Sequence, residues 1–364
     1  MSVVLLIGGS GPTGPYILNG LVDAGHDVTM LHTGAHEIDE VQHVPHLHGD
    51  VRSAEGLTEV LGNRSFDVVI ATYGRLRAIA EVLHGRVGQL ISVGGAPAYR
   101  GYFNADQFEP PGLPVPTMED APLAAEGDDG KSYRIVRTEE ILFEQHPTAT
   151  HFRYPYVYGP RQLVPREWAI TRRILDGRRH IILPDDGLTL TTFGYVENLA
   201  KAILLAVGND QAGGEIFNCG DEECLTLRTV VELIADEFDH DWEIVSMPAD
   251  IAIPARPLMF HHRTTHRYLD LGKLRAILGY TDAVPARDAV KRTARWLAEN
   301  RPSPGGMEEQ VLEDPFDYEA EDSLIASWKS ALSTVDQPAY AVEPGLGLHY
   351  AGPGTSKVRP DTRI

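Results

Sequence analysis

The sequence predicts an α/β fold, a doubly wound parallel sheet with a smaller C-terminal domain and a C-terminal tail. Two observations carry this. Short apolar runs rich in β-branched residues alternate with helical stretches through residues 3–95. That is the pattern of strands buried on both faces and joined by crossover helices. The first of these runs leads straight into a glycine-rich turn and a helix. The 364 residues suffice for two domains, or for one large domain with an appendage.

The first run is Val3-Val4-Leu5-Leu6-Ile7, and the turn is Gly8-Gly9-Ser10-Gly11-Pro12-Thr13-Gly14. Ile17, Leu18, Leu21 and Val22 follow, spaced as the apolar stripe of a helix that ends at Gly25. Gly9, Gly11 and Gly14 satisfy G-x-G-x-x-G; Gly8, Gly11 and Gly14 satisfy G-x-x-G-x-x-G. Strand, glycine turn and helix form the context of a Rossmann-type dinucleotide fingerprint. The helix start offers free N–H groups and a positive dipole end to phosphates. Gly8, Gly11, Pro12, Thr13 and Gly14 are therefore candidate cofactor contacts.

A second strand, Asp27 to Leu31, leads to His32-Thr33-Gly34, where this architecture meets the adenosine ribose. Asp or Glu there favours NAD and a nearby Arg favours NADP; with His32 and Thr33 in place, the preference between NAD and NADP stays open. A third strand is expected through His43-Val44-Pro45-His46-Leu47-His48, leading to Gly49-Asp50-Val51-Arg52. Pro45 and the strand-to-turn context favour a structural role for these histidines. No Cys or acid set stands at ligand spacing, so no metal site is expected. Asp67 to Ala71 reads as a fourth strand, ending in Thr72-Tyr73-Gly74, where cofactor (Thr72) or substrate (Tyr73) would lie. Gln89 to Gly95 reads as a fifth. Residues 102–130, rich in Pro, Gly and acids, read as a loop over the site. Ser132 to Leu142 is helical in pattern, with Tyr133 and Arg137 one turn apart.

Composition narrows the function classes. The chain is 43% hydrophobic and 23% charged, as in soluble globular proteins, and no apolar run approaches the ~20 residues of a membrane span. The N-terminus lacks a basic region ahead of its apolar run and so does not read as a signal peptide. Two cysteines, Cys219 and Cys224, make no disulfide framework. A cytoplasmic protein is expected. A net charge of −20 argues against nucleic acid as a partner but leaves room for a local basic pocket.

These segments resemble the extended short-chain dehydrogenase/reductase superfamily, in its NAD-dependent epimerase/dehydratase branch. The resemblance runs from residue 1 to about 300. It includes the glycine motif, Gly49-Asp50-Val51-Arg52, Ala98-Tyr99 after the fifth strand, and the Tyr133 helix. Arg153-Tyr154-Pro155-Tyr156-Val157-Tyr158-Gly159-Pro160-Arg161 is similar to the family's R-P-x-x-V-Y-G-P segment. Phe193-Gly194-Tyr195-Val196-Glu197-Asn198-Leu199-Ala200 is similar to its F-x-x-V-x-D-x-A segment, with Asn198 in place of Asp. Gly214 to Gly220, and Leu269 to Lys273 through Tyr280, complete the set.

The resemblance implies an NAD or NADP cofactor, with Asp50 and Val51 at the adenine. It also implies a Tyr that exchanges a proton with the substrate oxygen, a Lys four residues on, and a Ser or Thr that orients the oxygen. A phenol of pKa ≈ 10 needs a nearby positive charge to act as a base near neutrality. Here Tyr133 is kept, Arg137 stands for the Lys, and Gly95 stands where the Ser or Thr aligns. Arg keeps the charge, but its planar fork is not equivalent to an ammonium. Family members that use sugar nucleotides hold the diphosphate with Arg. Thr191 replaces one such Arg, Arg256 resembles another, and Arg161, Arg166, Arg172 and Arg173 add positive charge.

The expected protein is an epimerase/dehydratase-type enzyme acting on a small anionic substrate, with Tyr133 and Arg137 catalytic and in contact with the cofactor. Tyr73, Arg161 and Arg256 are expected on the substrate side. The rival reading is an NAD(P)-sensing protein without turnover, which Gly95 and Arg137 favour. Residues 1–160, with 190–216, are assigned to the NAD(P)-binding domain and 161–300 mostly to the substrate domain. Residues 301–364 are assigned to an extension, with one amphipathic helix from Phe316 to Leu332 after a linker at 301–306. Such a tail wraps the body, covers the site or joins a homodimer.

Overall fold

The computed structural model describes residues 1–72 and 74–341. The described residues fall into two compact units, 1–315 and the segment that starts at Phe316.

In the first unit the strands are β1 (Val3–Ile7), β2 (Asp27–His32), β3 (His46–His48), β4 (Phe66–Ala71), β5 (Val87–Gly95), β6 (Thr150–Tyr154), β7 (Tyr156–Tyr158), β8 (His180–Pro184), β9 (Phe193–Tyr195), β10 (Ile216–Asn218) and β11 (Glu243–Met247). Its helices are α1 (Gly14–Asp23), α2 (Ala54–Leu61), α3 (Leu76–Leu83), α4 (Gly130–Gln145), α5 (Arg166–Leu175), α6 (Val196–Ala206), α7 (Leu227–Glu237), α8 (Arg256–Met259), α9 (Gly272–Leu278), α10 (Ala286–Glu299) and α11 (Met307–Leu312).

Seven strands make one parallel sheet in the order β10-β6-β5-β4-β1-β2-β3. The Rossmann-type, doubly wound parallel sheet expected from the alternating pattern is therefore present, with a helical C-terminal region. Alternation along β1 explains the two cores. Val4 and Leu6 face α1 and α6, packing with Ile17, Leu21, Leu199 and Ile203. Leu5 and Ile7 face the other way, toward Leu57 of α2, Ile79 of α3 and Leu142 of α4. Each buried Leu or Ile contributes about 1.5–3 kcal/mol, so a strand apolar at every position holds both layers.

The third strand is shorter than the sequence suggests. Pro45 has no N–H to give to the ladder, and β3 begins only after it, at His46. The loop over the site contains one short turn of helix, Ala105–Gln107, and otherwise runs irregularly up to α4. In the C-terminal part β8 pairs with β11 and β7 with β9, both in parallel, while α10 packs on α5 and α7.

The second unit carries α12 (Tyr318–Ser333), capped by the Asp317 side chain, which accepts the Ala320 N–H at 3.1 Å. No helix among the described residues is long and apolar enough to cross a membrane.

Candidate functional site

The glycine turn joins β1 to α1, and its glycines serve different ends. Gly8 and Gly9 have φ of 111° and 94°, in the region that favours glycine. A Cβ on Gly14 would lie 2.1 Å from the Gly9 carbonyl oxygen, so Gly14 lets the helix close onto the turn. A Cβ on Gly11 would meet nothing within 4 Å. Gly11 therefore fills no packing need; its backbone faces open space. Above it, α1 starts without a side-chain cap, with no acid in its first turn and with Pro15 lacking an N–H. The Thr13 side chain, at the cap position, makes no capping hydrogen bond to the helix. The result is a positive helix end with an open backbone approach, suited to an anion.

The other expected cofactor contacts lie at the C-terminal ends of neighbouring strands. Val51 is fully buried, and its carbonyl accepts the Arg75 N–H at 3.2 Å. Asp50 is exposed and accepts from the Arg52 N–H at 2.9 Å and from Ser53 Oγ at 3.2 Å. The Arg52 N–H and guanidinium hold its carboxyl below the usual range. Thr72 Oγ1 donates to the Ile7 carbonyl at 3.2 Å, tying the end of β4 to the end of β1. Tyr73 lies outside the described residues. His32 is 4% exposed and turned into a cluster with His46, His48 and Glu37. The expectation that no acid stands within ligand reach of these histidines is corrected here: the 33–45 connection folds Glu37 back onto them.

Asp129 caps α4 by accepting the N–H groups of Lys131 and Ser132 at 3.0 and 2.8 Å, which sets Tyr133 in the first turn. Tyr133 is half-buried. Arg137, one turn on, is exposed and paired with Glu140. What fixes this helix to the sheet is Glu139. Its carboxylate receives Arg153 Nε at 3.0 Å and Nη2 at 2.7 Å, both residues buried. Burial alone would raise the Glu139 pKa, but His151, 3.4 Å away, and the hydrogen bonds from Arg153 hold it at about 2. Arg153 also lies over the Tyr99 ring at 4.7 Å and donates to the Glu119 carbonyl. The Arg of the R-P-x-x-V-Y-G-P-like segment is thus an internal clamp on α4. Across the sheet, Ser92 Oγ meets His151 Nδ1 at 2.8 Å, and a Cβ on Gly94 would run into that ring at 2.5 Å. The Ser92 hydroxyl is engaged there.

Asn198, the departure from the F-x-x-V-x-D-x-A pattern, has a local reason. Its Nδ2 donates to Asp221 Oδ1 at 2.8 Å, and its Oδ1 accepts from the Ala283 and Val284 N–H groups. Asp221 also receives Tyr158 OH at 2.6 Å, while burial pushes its pKa up to about 7. An aspartate at 198 would set two buried carboxylates side by side.

On the substrate side the arginines divide differently from expectation. Arg161 pairs with Glu40, and Arg256 is exposed at the start of α8. Arg166 pairs with Glu167 at 2.6 Å, Arg172 with Glu309 and Arg173 with Asp314. Arg267, which the sequence reading did not single out, is 1% exposed and is held by the Tyr102 and Thr265 carbonyls at 2.8 and 3.0 Å. It has no carboxylate partner among the described residues, and burial lowers its pKa to about 10. Beside it His261 is buried with neither ring nitrogen hydrogen-bonded; burial, then Arg267, lowers its pKa to about 2. Both line a cavity of ≈ 20 Å³ with Arg166, Arg263, Thr191 and Phe193. No motif marks Arg267 in the sequence; only burial without a carboxylate partner among the described residues reveals it. A second cavity, ≈ 960 Å³, opens between α2, α3 and α4. Arg52, Arg75, Arg77, Lys131 and Arg134 line it together with Glu55, Glu81 and Glu139.

The model of the NAD dependent epimerase/dehydratase family matches residues 140–220. A chloroplast stem-loop binding protein of 41 kDa from Arabidopsis thaliana is 27% identical over 296 residues, 76% of this chain and 74% of that one. A putative UDP-glucose 4-epimerase from Methanocaldococcus jannaschii is 25% identical over 322 residues, 82% of this chain and 99% of its own. Against two bacterial sequences of uncharacterized role, the match spans 47% and 42% of their length. Among solved structures, the Bordetella bronchiseptica enzyme WbmG in complex with NAD superposes with a TM-score of 0.63 at 18% identity, over 82% of this chain and 94% of that one. The resemblance to the NAD-dependent epimerase/dehydratase family holds in sequence and in fold.

Proposed function

We propose that this protein binds NAD or NADP and is an epimerase/dehydratase-type enzyme, acting on a hydroxyl or carbonyl of a small anionic substrate of the sugar-nucleotide class. The observation that carries the reading is the turn at Gly8–Gly14, where Gly11 presents bare backbone to open space under an uncapped helix end. A pyrophosphate is the anion that uses both. The relatives named above support the choice, one as a putative UDP-glucose 4-epimerase and one as an enzyme solved with NAD.

The dinucleotide, when bound, supplies hydride transfer. The chain supplies the rest. Gly8, Gly11, Pro12, Thr13 and Gly14 receive the phosphates, while Asp50, Val51 and Thr72 border the adenosine side. Tyr133 carries the proton to or from the substrate oxygen. Arg137, one turn away, provides positive charge once released from Glu140. Arg267 is the buried cation that a substrate anion would meet, since no carboxylate among the described residues balances its charge.

Two observations favour the second reading, an NAD(P)-sensing protein without turnover. Arg137 spends its charge on Glu140 at the surface, and Gly95 brings no hydroxyl to Tyr133. Calorimetric titration with NAD, NADH, NADP and NADPH, followed by turnover with UDP- and dTDP-sugars, separates the two. Tight binding with turnover that disappears in Tyr133→Phe supports the enzyme. Binding without turnover supports the sensor, and no binding overturns both. The stem-loop binding relative adds one control: with a net charge of −20, no affinity for an RNA hairpin is expected in a fluorescence anisotropy titration.

A further inference from the structure

We propose that His32, Glu37, His46 and His48 form a binding site for a divalent transition metal, with zinc as the best fit, at the β2–β3 edge of the sheet. The inference is independent of the dinucleotide reading. One ligand atom from each of the four residues lies within 4.8 Å of all the others. His32 Nε2 is 3.1 Å from His46 Nδ1 and 3.6 Å from Glu37 Oε1. His46 Nδ1 is 3.7 Å from Glu37 Oε2, and His48 Nε2 is 3.2 Å from Glu37 Oε1. A tetrahedral zinc with bonds of ~2.0–2.1 Å sets its ligand atoms about 3.4 Å apart. The three distances that join His32 Nε2, His46 Nδ1, His48 Nε2 and the single oxygen Glu37 Oε1, at 3.1, 3.6 and 3.2 Å, bracket that value. The three ring pairs cross at 82–85° with centroids 4.7–6.1 Å apart, so the rings splay around a common point and do not stack.

The strand register builds this arrangement. His32 pairs with His48 and Met30 with His46 across the parallel β2–β3 ladder. Alternation puts His46 and His48 on one face, and the register sets His32 beside them. Outer contacts orient the set. His46 Nε2 donates to the Val41 carbonyl at 2.9 Å, leaving Nδ1 with its lone pair toward the centre. Gln42 Nε2 donates to Glu37 Oε2 at 2.7 Å and fixes the carboxylate. His32 Nδ1 faces the Gly34 N–H at 3.3 Å, so Nε2 carries the ring proton and shares it with His46. Metal binding replaces that shared proton, which moves to Nδ1 at the expense of the long Gly34 contact. His32 is buried, whereas His48 and Glu37 are about half exposed, so an ion reaches the site from solvent. Once bound, it ties the 33–45 connection to the edge strand.

The test uses tag-free protein stripped with a chelator and titrated with Zn²⁺ by calorimetry and with Co²⁺ by visible absorption. One equivalent is expected, with the d–d bands of a tetrahedral nitrogen–oxygen site and a thermal midpoint that rises with Zn²⁺. His48→Ala and Glu37→Gln alter exposed side chains, so circular dichroism should be unchanged. Each should weaken binding at least tenfold, while His43→Ala, on the same connection, should leave it intact. Failure of the wild type to take up one equivalent, or undiminished binding in both variants, overturns the proposal. Neither readout depends on nucleotide binding or turnover.

Discussion

Replacing Gly11 by valine should separate binding from folding, and replacing Gly14 by alanine should not. At Gly11 the added Cβ meets nothing within 4 Å and the backbone has no positive φ, so stability should change by no more than about 0.5 kcal/mol. The same side chain stands where a phosphate must approach the turn. Loss of two charge-assisted hydrogen bonds at ~1.5 kcal/mol each amounts to ~3 kcal/mol, a fall in dinucleotide affinity of about 100-fold. At Gly14 the new Cβ lies 2.1 Å from the Gly9 oxygen, where ordinary contact begins at 3.4 Å, so turn and helix must separate by the difference. Such overpacking costs about 1–3 kcal/mol. Urea unfolding measures the stabilities, and calorimetry with NAD and NADP measures the affinities. A Gly11→Val protein that binds as tightly as the wild type would refute the phosphate assignment. One that unfolds would refute the packing argument.

Three further outcomes test the framework around the site. Arg153→Met leaves Glu139 buried without its partner and should lower urea stability by about 3–5 kcal/mol, with Glu139→Gln in the same chain recovering part of it. Glu139 ionises at about 2 in the folded protein against an ordinary 4.5, so its contribution is complete above the ordinary value and is lost as pH falls from there toward 2. That amounts to about 3 kcal/mol, and the acid-side slope of stability should flatten in Glu139→Gln. Asn198→Asp should destabilise by about 2–4 kcal/mol, because an acceptor replaces the amide that Asp221 uses as a donor. The loss should shrink on acidification, as a shared proton restores the contact; equal losses at neutral and acid pH would point to a packing defect instead.

The sheet, its glycine turn and the helix bearing Tyr133 were legible in the chain because each rests on local rules. Apolar runs at every position mark doubly buried strands, the glycine spacing marks a turn that must meet a helix, and the pattern from Ser132 to Leu142 marks a helix. The substrate arginines were not legible, because a sequence records charge and not its partner. Arg161 and Arg173 find their carboxylates, Glu40 and Asp314, more than a hundred residues away in the chain, whereas Arg267 meets none among the described residues. The histidines are the sharpest case. Alternation places His46 and His48 on one face from sequence alone, but the parallel register that brings His32 beside them is a long-range choice. The return of Glu37 depends on an irregular connection that no periodicity describes. Local chemistry thus determined the elements and the phosphate turn. Pairing across the sheet edge and through the core decided which charged side chains are spent within the protein and which remain available to a ligand.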